Sequence, residues 1–302
     1  MKLMVFDVGG TDIKYSVMDE SLERENMGSV PTPQDTRENF FKALKDIFDQ
    51  FKDEVDGVAM SLPGFIDSKK GRCNGGGWLK YNQGMSIGPE LSEYLGAPVH
   101  LANDGKAAAL AELKRGSLVG CENAAVYIIG TGIGGGLIIN GEIVNGKHFT
   151  AGELSLLHTN FDKWTDPDCM TGLNCSYRSL IKMYIKEAGL AEDTKLNGKE
   201  FFDILKSGNE IADRVLDEYA MLNAKNILNL NYLLDFEKVA IGGGISRQPV
   251  LIERINAAVD KLCKEADETY GFSLPRPEIV LCSYLSDANM VGAYLYYQHD
   301  MK

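Results

Sequence analysis

Apolar residues open the chain in two short β-prone blocks, residues 3–6 and 13–17, separated by Asp7-Val8-Gly9-Gly10-Thr11-Asp12. Two such runs around a glycine turn predict a hairpin. Over 39–51 the period changes: Phe40, Phe41, Leu44, Ile47, Phe48 and Phe51 recur at helical spacing and predict an amphipathic helix. An apolar run at 55–60 predicts a strand that stops at Leu62-Pro63-Gly64. A second short strand is predicted at 99–102, followed by an alanine-rich helix through Lys114, with Asn103-Asp104 at its start.

The second half repeats this grammar. Runs at 124–129 and 136–140 flank Gly130-Thr131-Gly132-Ile133-Gly134-Gly135, a second glycine hairpin like the first, which suggests an internal duplication of the motif. A long helix over 210–234, a strand at 239–241, the turn Gly242-Gly243-Gly244, a helix over 249–264, a strand at 278–282 and a closing helix over 286–298 complete the prediction. Strands followed by helices, with polar residues at the junctions, predict an α/β protein with ligand sites at those junctions. No low-complexity linker marks a boundary, so two lobes are expected to meet along a cleft near residues 115–122. The expected division is 1–118, 119–285, and a C-terminal helix at 286–302 that packs back on the first lobe. Tyr294, Tyr296 and Tyr297 are expected to pack that helix rather than form a stacking surface, and the charged stretch 187–199 is expected to be a solvated connection.

Composition narrows the function. The 302 residues are 44% hydrophobic and 25% charged, which fits a folded globular chain rather than a disordered one. The 31 Lys and Arg against 43 Asp and Glu leave a net charge of -12, and this disfavours nucleic acid, whose binding rests on cations that neutralise phosphates. A nucleotide is still compatible, because backbone amides and Mg²⁺ can hold a few phosphates. No apolar run reaches the ~18 residues of a membrane span, and the chain opens directly into strand without a charged leader, so a cytoplasmic protein without a membrane partner is expected. Six cysteines are too sparse for a disulfide scaffold, and reduced thiols are expected.

The chemistry concentrates in the turns. Asp7 stands at a strand end before Gly9-Gly10-Thr11, where glycine lets a backbone approach a phosphate closely and Thr11 adds a hydroxyl. Taken alone, this is equally a tight turn with a surface aspartate. The stretch 130–136 holds five glycines in seven residues, each costing roughly 0.5 to 1 kcal/mol relative to alanine, which calls for a close approach to that loop.

In this order the motifs resemble the ROK family of sugar kinases and repressors, within the actin, Hsp70 and hexokinase superfamily. Asp7-Val8-Gly9-Gly10-Thr11 is similar to its first phosphate motif, Asn103-Asp104-Gly105-Lys106-Ala107-Ala108 to its NDANAA segment, 130–136 to its second phosphate motif, Ala151-Gly152-Glu153 to its AGE sugar segment, and Ile241-Gly242-Gly243-Gly244 to its adenosine-side turn. The resemblance spans essentially the whole chain and implies a two-lobed actin-like ATPase (ribonuclease H-like) fold with a central cleft. It implies Asp104 as the general base that takes the proton of a sugar hydroxyl, although a residue at that place can also be a helix cap. Gly64, Asn103, Asp104 and Glu153 would bind the sugar. Gly9, Gly10, Thr11, Thr131, Gly132, Gly134, Gly242, Gly243 and Gly244 would bind ATP, and Asp7 would organise Mg²⁺ through water.

Departures from the family pattern are informative. Asp12 stands where many members carry lysine, and Lys14 two residues on is either a site cation or a surface charge. Zinc-bearing members have a histidine three residues after the glutamate and a CxCGxxGC cluster. Here Leu156 takes the histidine's place and the cluster reads Cys169-Met170-Thr171-Gly172-Leu173-Asn174-Cys175. With His158 that leaves three ligands at most where structural zinc wants four, so no zinc is expected. Leu156 and Tyr177 also replace groups that line the sugar's anomeric side in the family, so an altered pocket is expected there. Trp78 either faces the sugar or packs at a turn.

The resemblance thus implies an ATP-dependent kinase acting on the 6-hydroxyl of a hexose, with glucose or a β-glucoside such as cellobiose first and N-acetylmannosamine second. A homodimer is expected. Readings of another class are a sugar-responsive regulator, which would carry an N-terminal winged helix that this chain leaves no room for, and a catalytically inactive sugar-binding protein, disfavoured because Asp7, Asp104 and both glycine loops are intact.

Overall fold

A computed structural model describes residues 1–75 and 77–300, leaving aside the side chain of Asp300. It divides into two compact units, one of residues 1–114, 143–151 and 287–302, the other of residues 115–142 and 152–286. No helix among the described residues is long and apolar enough to cross a membrane. No disulfide links the six buried cysteines.

The first unit begins with β1 (Leu3–Val8), β2 (Asp12–Met18) and β3 (Arg24–Pro31), followed by α1 (Arg37–Phe48), β4 (Gly57–Leu62), the short pair β5 (Ile66–Asp67) and β6 (Arg72–Cys73), α2 (Ile87–Leu95), β7 (Val99–Asn103) and α3 (Asp104–Arg115). Its sheet has the order β3-β2-β1-β4-β7, antiparallel over the first three strands and parallel beyond. Strand β1 is buried along its whole length, as a central strand covered on both faces must be. Thr36 caps α1 by accepting from the Asn39 N–H, and Phe40, Phe41, Leu44, Ile47 and Phe48 put the helix's apolar stripe into the core with Met4, Phe6 and Met60.

The second unit continues with β8 (Ala124–Ile129), β9 (Ile133–Ile139), β10 (Glu142–Ile143), α4 (Thr171–Asn174), α5 (Tyr177–Glu187), α6 (Gly198–Lys206), α7 (Glu210–Leu234), β11 (Lys238–Gly242), α8 (Pro249–Tyr270) and β12 (Glu278–Leu281). Its sheet order is β10-β9-β8-β11-β12, so each sheet runs third, second, first, fourth, fifth in its own strands. The two glycine hairpins occupy the same place in the two sheets, between the first and second strands. The helix α9 (Ala288–Asp300) returns to the first unit, where Tyr294, Tyr296 and Tyr297 are buried and the Tyr294 hydroxyl donates to the Met1 carbonyl at 2.9 Å. The second glycine loop is shorter than the sequence suggests. Strand β9 already starts at Ile133, so Gly134, Gly135 and Gly136 pair with Ile128, Tyr127 and Val126 inside the sheet and only 130–132 form the turn. Ladder hydrogen bonds to β8 override the weak strand propensity of glycine there.

Candidate active site

In the first unit the turn after β1 is held from outside its own residues. The Gly9 N–H donates to the Asp12 carbonyl at 2.9 Å. The Thr32 hydroxyl donates to the Gly9 carbonyl at 2.8 Å and the Gln34 amide to the Gly10 carbonyl at 2.7 Å. The turn therefore has a defined shape before any ligand arrives. Trp78 is 67% exposed, so it is not a packed turn aromatic, and its ring lies where a Cβ on Gly10 would come within 3.2 Å of it.

Asp7 is buried to 8% exposure, and one carboxylate oxygen, Oδ1, accepts from the Ser61 hydroxyl of β4 at 2.9 Å and from the Asn289 amide of α9 at 3.0 Å. These two neutral donors orient the carboxylate and leave Oδ2 without a protein partner among these bonds. A single, firmly held carboxylate oxygen suits Mg²⁺, which keeps most of its water shell and takes few protein ligands. Lys14 is the direct cross-strand partner of Asp7. Opposed residues of an antiparallel pair share a face, so Lys14 stands on the same face as Asp7, with its side chain exposed.

The strand-to-helix junction at Asn103-Asp104 divides two roles between neighbours. Asn103 Oδ1 accepts the Lys106 N–H at 3.0 Å, which is the capping bond of α3. Its amide donates to the Gly64 carbonyl at 3.0 Å and to Asp104 Oδ1 at 3.1 Å. Gly64 has φ 112°, a conformation that glycine adopts at little cost, and this turns its carbonyl to Asn103. Asp104 is thus not the cap. Its Oδ1 accepts from local donors, the Gly105 N–H at 2.8 Å and the Asn103 amide. Burial pushes its carboxyl up to about 6, with the Asp7 carboxylate adding to the rise and the Gly105 N–H and the Lys106 ammonium opposing it. A carboxylate in that range is suited to accept a proton near neutral pH.

In the second unit Gly130-Thr131-Gly132 joins β8 to β9, closed by a bond from the Gly130 N–H to the Gly132 carbonyl at 2.9 Å. The Tyr177 N–H, at the start of α5, donates to the Gly130 carbonyl at 3.2 Å. Ser155 latches the loop to the turn that follows Glu153: its hydroxyl accepts from the Ile133 N–H at 2.9 Å and donates to the Ile133 carbonyl at 2.8 Å. Gly132 faces that hydroxyl so closely that a Cβ would sit 2.9 Å from it. Gly243, at φ 99°, brings its backbone against the Ile129 carbonyl, leaving no room for a side chain. Ser61, Asn289, Thr32, Gln34 and Ser155 carry no motif and escape a reading of the sequence. Asn289 lies 282 residues from the carboxylate it orients.

The cysteine stretch is built into the core. Cys175 accepts from the Asn226 amide at 2.9 Å, and burial pushes its thiol up to about 12, which disfavours the thiolate a metal requires. His158 stacks on Trp164 with ring centroids 4.2 Å apart. Among the described residues no three His, Cys, Asp or Glu side chains are placed to share a metal ion.

A family model described as the ROK family matches residues 4–299. The chain belongs to the ROK family. It is 27% identical over 299 residues to a β-glucoside kinase of Listeria monocytogenes, covering 98% of this chain and 97% of that one. It is 28% identical over 272 residues to an N-acetyl-D-glucosamine kinase of Vibrio atlanticus, with 85% and 88% covered. The crystal structure of a ROK family protein from Streptococcus pneumoniae in complex with sucrose superposes with a TM-score of 0.84 at 29% identity, covering 100% of this chain and 99% of that one. The actin-like α/β fold implied by the motifs is the fold found.

Proposed function

We propose that this ROK sugar kinase transfers the γ-phosphoryl group of ATP to the 6-hydroxyl of glucose or of a β-glucoside such as cellobiose. The observation that carries the reading is the division of labour at the end of β7: Asn103 caps α3 and leaves the Asp104 carboxylate as a fixed proton acceptor. In the reaction the 6-hydroxyl oxygen attacks the γ-phosphorus, its proton passes to Asp104, and the bond to the bridging oxygen breaks to release ADP. Phosphoryl transfer needs positioning and charge stabilisation more than covalent help, which fits a site of rigid turns. Gly64, Asn103 and Glu153 are assigned to the sugar. The turn 9–11 with Thr11, the turn 130–132 with Thr131, Gly134, and Gly242 to Gly244 are assigned to the nucleotide. Asp7 would hold Mg²⁺ through water, and the ion would supply charge neutralisation on the phosphates.

Because Asp104 must be ionised to accept the proton, kcat is expected to fall on the acid side with an apparent pKa of about 6. A coupled ADP-release assay from pH 5 to 8 checks this, and a flat profile through that range would contradict the assignment.

Two observations support a β-glucoside. Leu156 is 46% exposed, so it does not fill a void left by a missing metal but offers an open apolar surface three residues beyond Glu153. The pneumococcal relative was crystallised with sucrose, a disaccharide. An apolar wall discriminates weakly, by about 1 to 3 kcal/mol per group, whereas a site built to bind a hydroxyl rejects its loss strongly. Cellobiose is therefore expected to be phosphorylated with kcat/KM at least equal to that of glucose, while 6-deoxyglucose is inert. Rejection of cellobiose together with efficient turnover of N-acetylmannosamine overturns this substrate assignment and favours the alternative.

A further inference from the structure

Lys106 is exposed to only 1%, two residues beyond Asp104 and in the first turn of α3. Both circumstances oppose a cation. Burial strips the ammonium of water, and the N-terminal end of a helix carries partial positive charge. A group kept at such a place needs specific partners, and one is the Phe149 carbonyl, to which the Lys106 ammonium donates at 2.7 Å. Phe149 itself has φ 62°, a left-handed conformation costly for a bulky side chain. It lies in 143–151, the excursion that leaves the second unit's portion of the chain, packs within the first unit and ends at Ala151, directly before Gly152-Glu153.

Two contacts tie this excursion to the rest of the first unit. Ile143 packs against the small apolar cluster of Ala102, Ala107, Leu110 and Tyr296, which roots its beginning on α3 and α9. Near its other end the bond from Lys106 is a polar tie to the same helix. Between them Gly146, Lys147 and His148 are exposed, and Gly146 turns at φ 69° against the Ala151 side chain.

We propose that Lys106 is a positioning residue for the sugar site, its buried ammonium tying the segment that delivers Glu153 to the helix that carries Asp104. The inference rests on the sugar-kinase reading above. A point charge with three donors on a flexible stem can satisfy the carbonyl of a strained segment. The strained Phe149 conformation then persists because Lys106 over-determines it.

Lys106→Met keeps the length and apolar stem of the side chain and removes the ammonium, and Lys106→Arg keeps charge and donors. Released from its tie, the 143–151 segment is expected to open locally around the exposed Lys147-His148 bond far more often, so trypsin should cleave Lys106→Met after Lys147 about tenfold faster than the parent, as read by mass spectrometry of the fragments. The sugar KM should rise about tenfold or more while the KM for ATP stays within about threefold, because misplacement falls on the acceptor side. Lys106→Arg should recover most of both effects. Parental cleavage after Lys147 and a parental sugar KM in Lys106→Met, with a cooperative melt showing that the variant is folded, overturn the proposal. If Lys106→Met melts without cooperativity, Lys106→Arg decides: unchanged cleavage and KM values sustain the tie, and accelerated cleavage in a folded Arg variant rejects it. The proteolysis readout needs no turnover, so it stands or falls separately from the kinase reading, whose own failure would show as full activity in Asp104→Asn.

Discussion

Asp104→Asn is expected to lower kcat by about 10² to 10⁴ while changing the apparent sugar affinity far less, because the amide keeps the shape of the carboxylate but cannot take the proton. The same substitution is expected to stabilise the protein at neutral pH. In the folded chain the carboxyl is pushed up to about 6 from an ordinary value of 3.8, so between those values the native state holds the proton more tightly than the unfolded chain does. The resulting cost to stability is absent below pH 3.8, grows as pH rises and is complete above about 6. A neutral amide removes that cost, which is on the order of 1 to 3 kcal/mol. The variant should therefore melt above the parent at pH 7.5, and the gap should close near pH 4. Calorimetry at the two pH values together with ADP-release kinetics checks both halves. Near-parental turnover would reject Asp104 as the base, and a lower melting temperature at pH 7.5 would reject the strained environment assigned to it.

The second large effect is structural. Gly292 of α9 lies against the backbone of Ala107 in α3, and a Cβ at 292 would land on the Ala107 carbonyl. The obstacle is helix backbone, which cannot rotate away as a flexible side chain would. Gly292→Ala, usually favourable inside a helix, is therefore expected to destabilise by about 3 kcal/mol and to lower Tm by about 5 to 10 °C. Displacing α9 also moves Asn289, which orients Asp7, and displacing α3 moves Asp104, so kcat should fall in the protein that remains folded. Thermal denaturation and kinetics below the transition test this. A variant that melts with the parent would show that α9 can shift without cost.

Pattern alone was sufficient for the elements whose stability is local. The helix at 37–48 carries its apolar stripe and its Thr36 cap within its own residues, and the hairpin around Gly9-Gly10 follows from two apolar runs and the turn between them. Strand β3 had no such signal. Its side chains are mostly polar and exposed, and it is a strand because β2 offers it an unpaired edge. The excursion 143–151 was equally invisible, since the groups it meets, the apolar cluster under Ile143 and the ammonium of Lys106, are brought to it by α3 and α9.

The candidate site divides along the same line. Asp7, Asp104, Glu153 and the glycine turns stand out in the sequence because their chemistry demands particular residue types in a particular order. The fold had to decide that Asn103 and not Asp104 caps the helix, that Lys14 shares a face with Asp7, and that Cys175 is held in the core by Asn226. Each of these depends on a partner brought close by strand register or helix packing. Sequence determines which groups are available; burial and distance, which only the tertiary structure sets, determine which of them meet and in what state of charge.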